Sequence, residues 1–172
     1  MTTTATTNTW TQIFEHPTQF ALITNNLLTT IPSLTKEWMV EFSFKPTNLQ
    51  HGGWTNIFHM TKGGEWGSYG VRTPAVFYHP DNGLMVTSAV NNSFDFRYLF
   101  PSPTVGQWTK IRVSQELLDN KFKYRVVIDG VEKVVENKNA VAFQNVKVFA
   151  SNRWHTTQPG LVKDLSIKIK EE

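Results

Sequence analysis

The sequence contains no cysteine, which excludes disulfide bridges, thiolate metal sites and a cysteine nucleophile. It also lacks any run of about 18 consecutive apolar residues, the length that a membrane-spanning helix requires. The excess of positive over negative charge is small, since 17 basic and 14 acidic side chains leave a net charge of +3. The basic residues are scattered, whereas a nucleic-acid binder usually shows a basic stripe or patch. We therefore predict neither a membrane span nor a nucleic-acid partner.

Length and composition indicate one globular domain. The chain has 172 residues, of which 40% are hydrophobic and 13% aromatic, so it can bury a core without covalent cross-links. Its first residues, MTTTATTNTW, are rich in threonine and lack the basic and apolar regions of a signal peptide. We predict a flexible N-terminus at residues 1–9 and a single β-sandwich domain at residues 10–172.

Alternation of apolar and polar residues with a period of two dominates the sequence. In EWMVEFSFKP (37–46) every second residue from Trp38 to Phe44 is apolar, and FDFRYLF (94–100) and FKYRVVID (122–129) repeat the pattern. One apolar face and one polar face are typical of strands in an antiparallel sheet that packs on one side. Further strands are predicted at residues 56–60, 108–114, 141–150 and 161–169.

Turn residues separate these runs. Asp81-Asn82-Gly83 and Asp129-Gly130 supply the positive φ angles that tight hairpins require. SQELLDN (114–120) is the one segment that suggests a helical turn. About 10 to 14 short strands with closely spaced turns predict an all-β protein, an antiparallel two-sheet β-sandwich of the jelly-roll type.

Signals for catalysis or metal binding are weak. Jelly-roll glycosidases need two carboxylates beside the scissile bond, and the nearest pair, Glu37 and Glu41, more simply faces solvent. His59 and His79 either meet on adjacent strands or are separate, hydrogen-bonded histidines. No G-x-S-x-G elbow and no D-x-D-x-D-G calcium loop occurs. We therefore predict that the chain is not an enzyme. Calcium is a candidate cofactor, with no ligands assigned to it.

Two turn-rich segments combine aromatic and polar residues, as sugar recognition requires. They are HMTKGGEWGSYGVRTP (59–74) and SNRWHTTQPG (151–160). The predicted ligand-binding residues are Glu65, Trp66, Tyr69, Arg72, Asn152, Arg153, Trp154 and His155. In the alternative interpretation, Trp66 and Trp154 plug the ends of the sandwich. Trp10, Trp38, Trp54 and Trp108 lie in or beside strand patterns and are expected in the core.

A succession of segments from Glu37 to Lys168, with NIFHMT, RTPAVF and VKVFASNRWHTTQPGLVKDLSI as the most specific, resembles a known superfamily. This is the concanavalin-like jelly-roll superfamily in its laminin-G-like branch, found in animal extracellular and lectin-like domains. The resemblance implies a sandwich that binds glycans or proteins at a rim or on a concave sheet, often with calcium. Val71 and Asn152 stand where similar sequences often carry Asp, which favours recognition without a metal.

Composition, loops and resemblance together predict a non-enzymatic, lectin-like domain that recognises glycans. An acidic glycan would suit the slightly basic balance of charge. The alternative is a structural or adhesive domain that binds a matrix protein or forms a homo-oligomer through an exposed strand such as FDFRYLF (94–100). The resemblance implies a secreted, extracellular protein, with a cytoplasmic location as the alternative.

Overall fold

A computed structural model of the chain describes residues 9–171, and all of the predicted flexible N-terminus except Thr9 lies outside them. Within the described range no helix is long and apolar enough to cross a membrane. The strands are β1 (Thr11–His16), β2 (Phe20–Ala21), β3 (Leu27–Leu34), β4 (Trp38–Pro46), β5 (Thr55–Thr61), β6 (Ala75–His79), β7 (Gly83–Val90), β8 (Ser93–Phe100), β9 (Thr109–Leu118), β10 (Lys121–Ile128), β11 (Val131–Glu136), β12 (Phe143–Phe149), β13 (Thr156–Thr157) and β14 (Gly160–Ile169).

The strands form two seven-stranded sheets. Sheet I has the order β1-β14-β4-β9-β10-β11, with β2 also paired to β14. Sheet II has the order β3-β12-β5-β6-β7-β8, with the two-residue strand β13 beside β5. Only β13 runs parallel to its neighbour among the described strand pairs. The prediction of an all-β, two-sheet antiparallel sandwich of the jelly-roll type is confirmed.

Tight turns connect the hairpins where turn residues were predicted. Asp129 and Gly130 have φ angles of 46° and 81° and join β10 to β11, and Gly83 begins β7 directly after the turn from β6. The helical turn predicted at residues 114–120 is wrong. β9 continues to Leu118, and Asp119 and Asn120 take φ angles of 50° and 60° in a hairpin turn to β10. Asn and Asp tolerate this left-handed conformation, so they end the strand without starting a helix.

The core lies between the sheets. Strand β4 turns every second side chain inward from Trp38 to Phe44, all of them buried, and Phe42 meets Phe58 of β5 with ring centroids 5.1 Å apart. Such alternation buries one face of a sheet and leaves the other for solvent or for loops. Of the four tryptophans expected in the core, only Trp38 is fully buried. Trp10, Trp54 and Trp108 are half-buried.

The central strands of sheet II are covered on both faces. All seven residues of β5 are buried, and so are all eight of β7, because loops pack over the outer side of the sheet. Residues 62–74, which join β5 to β6, are called the glycine loop here. Residues 150–155, which join β12 to β13, are called the tryptophan loop. These two loops border the outer face of sheet II at its middle strands.

Strand β8, which contains the segment FDFRYLF, forms one edge of sheet II. Its Leu99 side chain is exposed, and its Leu99 carbonyl oxygen accepts a hydrogen bond of 2.5 Å from Lys133 Nζ of β11. A lysine placed against a sheet edge blocks part of the backbone that another chain would need for pairing. Self-association through this edge stays a prediction.

Candidate functional site

A pocket of about 780 Å³ opens on the outer face of sheet II, between the glycine loop and the tryptophan loop. His59 and Thr61 form part of its floor, since they alternate along β5 with the inward-facing Phe58 and Met60. The lining residues are Asn25, Leu27, His59, Thr61, Gly63, Gly64, Trp66, Val71, Lys147, Phe149, Arg153, Trp154 and His155. Lys147 and Arg153 supply positive charge, and the described lining contains no Asp or Glu.

Asn152 shapes the tryptophan loop from beneath. Its Oδ1 accepts hydrogen bonds from the backbone N–H groups of Trp154 at 3.0 Å and His155 at 2.9 Å. Its Nδ2 donates to Nδ1 of His59 at 2.8 Å, and Nδ1 of His155 lies 3.1 Å from Nδ2 and 3.3 Å from Oδ1. The side chain is fully buried, with every polar atom occupied. Asn152 therefore cannot contact a ligand, and its predicted role in ligand binding is corrected to that of a positioning residue.

These bonds assign the proton on His59. His59 Nε2 lies 2.7 Å from the carbonyl oxygen of Val71, which can only accept, so Nε2 carries the proton and Nδ1 accepts from Asn152. Burial lowers the pKa of His59 to about 4, with a smaller contribution from the positive charge of Arg72. Burial also lowers the pKa of His155. Both rings are therefore neutral at pH 7 and bring no charge to the pocket.

Two tryptophans stand at the pocket with large exposed surfaces. Trp154 is 52% exposed and rests against His59 and Phe149, with ring centroids 5.7 and 5.8 Å away. Trp66 is 69% exposed and touches Phe94 edge-on at 5.3 Å. The alternative interpretation, in which both rings plug the ends of the sandwich, is wrong. Each ring packs on the outer face of sheet II because that face already carries aromatic residues on which it can rest.

Arg72 lies beneath Trp66. Its guanidinium carbon is 4.7 Å from the ring centroid of Trp66 and 4.9 Å from that of Phe77 on β6. The residue is only 6% exposed, and its Nε has no hydrogen-bond partner among the described residues. Burial lowers the pKa of Arg72, opposed by the charge of Asp95. Arg153, by contrast, is exposed and sits over the ring of Trp154 at 5.1 Å.

Two further predicted residues lie away from the pocket. Tyr69 donates a hydrogen bond of 2.6 Å to the carbonyl oxygen of Asn139 and packs on Phe143, so it belongs to the core. Glu65 is exposed on the glycine loop but is not among the pocket residues. The structure brings together Trp66, Arg153, Trp154 and His155 at the pocket, with Arg72 beneath Trp66.

Sequence reasoning did not assign Lys147, Phe149 and Phe77 to the site. Lys147 and Phe149 alternate on β12 with the inward-facing Val146 and Val148. A phenylalanine on the outer face of this strand was the sequence feature that could have indicated the site. Phe77 contacts His155 at 4.8 Å. Strand β6 is buried on both faces, so its sequence has no apolar–polar alternation that would show which side Phe77 faces. His59 and His79 do not meet, since His79 packs on Trp54 instead.

Glu37 and Glu41 do not form a paired catalytic site. Glu37 is buried beside Lys170, with 3.6 Å between Oε1 and Nζ, and its Oε1 also accepts a hydrogen bond from the backbone N–H of Leu117. Glu41 pairs with Arg112 at 3.2 Å. The expectation that Glu37 faces solvent is wrong, because β9 and the C-terminal end of the described chain cover it. No group of three or more His, Asp or Glu side chains within residues 9–171 could hold a metal ion.

The chain resembles solved structures of three kinds. Domain 4 of AbnA, an extracellular GH43 arabinanase from Geobacillus stearothermophilus solved with arabinotriose, is 22% identical with a TM-score of 0.52, covering 82% of this chain and 66% of that one. Trypanosoma rangeli sialidase is 9% identical with a TM-score of 0.56, over 79% of this chain and 21% of that one. A family 7 alginate lyase, A1-II′, solved with substrate, is 14% identical with a TM-score of 0.50, over 80% and 63%.

At these identities the likeness shows the β-sandwich fold alone. No protein-family model and no curated protein matches the chain. The laminin-G-like branch therefore stays a prediction within the broader sandwich fold. The prediction that the chain is not an enzyme is contradicted, since the arabinanase, the sialidase and the alginate lyase are all enzymes. A fold carries no activity by itself, so function has to be argued from the pocket.

Proposed function

We propose that this chain is a carbohydrate-binding β-sandwich domain whose glycan lies in the pocket on the outer face of sheet II. The observation that carries the proposal is the pair of exposed tryptophans, Trp66 and Trp154, beside a pocket of about 780 Å³. A flat aromatic surface offers contact to the apolar face of a sugar ring, and fixed polar groups beside it bind hydroxyls. The arabinotriose complex of the similar arabinanase domain supports a glycan as the ligand.

The polar partners at this pocket are held in place. Asn152 fixes the backbone of Trp154 and His155 through two N–H bonds, so the tryptophan loop need not be ordered on binding. Asn152 also holds the neutral ring of His155, whose Nδ1 lies 3.1 Å from Nδ2 and 3.3 Å from Oδ1 of the amide. Preorganised groups of this kind lower the entropic cost of binding. Arg153 and Lys147 are exposed, and their flexible side chains add charge.

Isothermal titration with a panel of oligosaccharides tests the proposal. Truncating a central aromatic contact typically costs about 2 kcal/mol, so Trp154→Ala should weaken glycan binding roughly 30-fold. Trp108→Ala is the matched control, since Trp108 immediately precedes β9 of the other sheet, where Lys45 and Lys163 lie over its ring. Its affinity should equal that of the unmodified protein. No binding to any sugar, or equal losses in both variants, would refute the proposal.

Cleavage of the bound glycan is a second candidate, favoured by the enzymes among the structural matches. Hydrolysis normally uses two carboxylates, and the described pocket lining holds none. A cleaving reaction at this pocket would therefore rely on its two histidines, Arg153 and Lys147. Chromatography of each glycan after prolonged incubation tests this candidate, with shortened products as the positive result.

The proposal also includes a homo-oligomer and an extracellular location. Light scattering of the free and glycan-loaded protein tests whether it forms a homo-oligomer through β8, and Leu99→Lys on that strand should then yield monomers. We place the domain outside the cell, where polysaccharides are accessible to it. Fractionation of the producing cells, with a specific antibody against the domain, would reveal a cytoplasmic location instead.

A further inference from the structure

Arg72 is a buried guanidinium that lacks a counter-charge. It is 6% exposed, and no carboxylate of residues 9–171 forms an ion pair with it. Asp95 influences it only through space, since the Asp95 carboxylate is paired with Arg97. Buried arginine is normally paired, because removing an uncompensated charge from water costs several kcal/mol. This side chain therefore needs an explanation outside the described contacts.

Two aromatic rings pack against the Arg72 guanidinium. The ring centroids of Trp66 and Phe77 lie 4.7 and 4.9 Å from the guanidinium carbon. The N–H donors of a guanidinium lie in one plane. Two parallel donors in one plane match the two oxygens of a carboxylate. Nε, one of these donors, has no partner among the described residues.

A second polar atom on the same face also lacks a partner. Thr87 Oγ1 on β7 is buried without a hydrogen bond within the described chain. Thr87 pairs with Ala75 of β6 and lies two residues from Met85, so it shares the outer face of sheet II, on which Met85 packs with Phe77. Arg72 and the pocket residue His155 both contact the ring of Phe77, at 4.9 and 4.8 Å from its centroid. Trp66 and Val71, the contacting ring and the chain neighbour of Arg72, line the pocket.

From these observations we infer that the glycan bound at this pocket is carboxylated, a uronic-acid type of sugar, and that Arg72 binds its carboxylate. The inference rests on the proposed function and names its ligand class. The carboxylate would accept in-plane hydrogen bonds from Arg72, while the sugar ring lies toward Trp66 and Trp154. Arg153 and Lys147 at the pocket add further attraction for an anionic chain, and no carboxylate in the described lining opposes it.

The first experiment changes only the ligand. Trisaccharides of galacturonate, mannuronate and guluronate are titrated beside their methyl esters, a neutral maltotriose and a sulfated carrageenan oligosaccharide. At least one free acid should bind about 10-fold or more tightly than its own ester, the scale of charge-assisted hydrogen bonds. Esters or neutral sugars that bind equally well would overturn the inference but leave the proposed function standing. A preference for sulfate over every carboxylate would also overturn it.

The second experiment changes Arg72. Arg72→Met keeps contact with both rings through its thioether and removes the unpaired charge, so the melting temperature should not fall. The preference for free acid over ester should disappear in this variant. Arg72→Lys retains the charge without the planar fork, and its preference should fall roughly several-fold. If either folded variant keeps the full preference of the unmodified protein, Arg72 is not the carboxylate receptor.

A third measurement needs no variant. The Nε–H resonance of Arg72 in a ¹⁵N-labelled sample should shift on titration with the preferred uronate and stay in place with its methyl ester. Movement with both ligands, or with neither, would contradict the assignment. Trp154→Ala serves as the separate control for the pocket itself, because it should weaken acid and ester alike. Absence of binding to every glycan in the panel would remove the proposed function together with this inference.

Discussion

Asn152→Asp should convert a neutral hydrogen-bond network into one that depends on protonation of the histidines. Asn152 Nδ2 donates to Nδ1 of His59 at 2.8 Å and lies 3.1 Å from Nδ1 of His155. In the variant, a carboxylate oxygen would face the Nδ1 lone pair of His59. His59 cannot respond by moving its proton, because its Nε2 must still donate to the carbonyl oxygen of Val71. Only an imidazolium can donate in both directions.

The magnitude follows from the bonds that change. Asp retains the acceptor for the backbone N–H groups of Trp154 and His155, so only the Nδ2 contacts are lost. A buried group left without its partner costs about 1 to 3 kcal/mol, which gives about 3 kcal/mol of lost stability at pH 8. The carboxylate raises the pKa of His59 above its unfolded value in the variant. The imidazolium then stabilises the fold below about pH 6.5, and this contribution is lost as pH rises.

Urea unfolding followed by tryptophan fluorescence at pH 8 and pH 5.5 measures the effect. The deficit of Asn152→Asp relative to the unmodified protein should be largest at pH 8 and shrink markedly at pH 5.5. Asn152→Ala is the control, since it removes the bonds without adding a charge and should lose about the same free energy at both pH values. An Asn152→Asp deficit that is unchanged between pH 8 and 5.5 would refute the assigned orientation of Asn152 and the tautomer of His59.

Two further predictions concern stability. The unmodified protein should lose about 3 kcal/mol as pH falls from 6.5 to 4, because the unfolded chain binds a proton at His59 before the folded one does; calorimetry at steps of pH should show it, and a flat profile would contradict it. Glu37→Gln should cost about 1 to 3 kcal/mol, because it removes one carboxylate from the buried Lys170. Glu41→Gln, which touches only a partly exposed pair with Arg112, should cost about 1 kcal/mol or less, and equal losses would exclude this explanation.

The amino-acid sequence was sufficient to predict the fold class and the strands that have one solvent-facing side. In β4 and β10 every second residue points into the core, so the period of two is visible in the chain. The Asp129-Gly130 hairpin was equally local, because its turn depends on two residues that accept positive φ. Two aromatic-rich loops could also be named as candidate sites, since their composition is a property of short segments.

Which residues of those loops face the pocket depends on long-range strand pairing. Phe149 of β12 pairs with His59 of β5, and this pairing brings Asn152 and Trp154 onto a strand more than 90 residues away in sequence. The composition of the loop does not indicate which residues of β12 and β5 pair. The same holds for Arg72, whose burial beneath Trp66 depends on how the glycine loop folds over Phe77. Strands β5 to β7 are buried on both faces, so their hydrophobic pattern could not distinguish the core side from the ligand side.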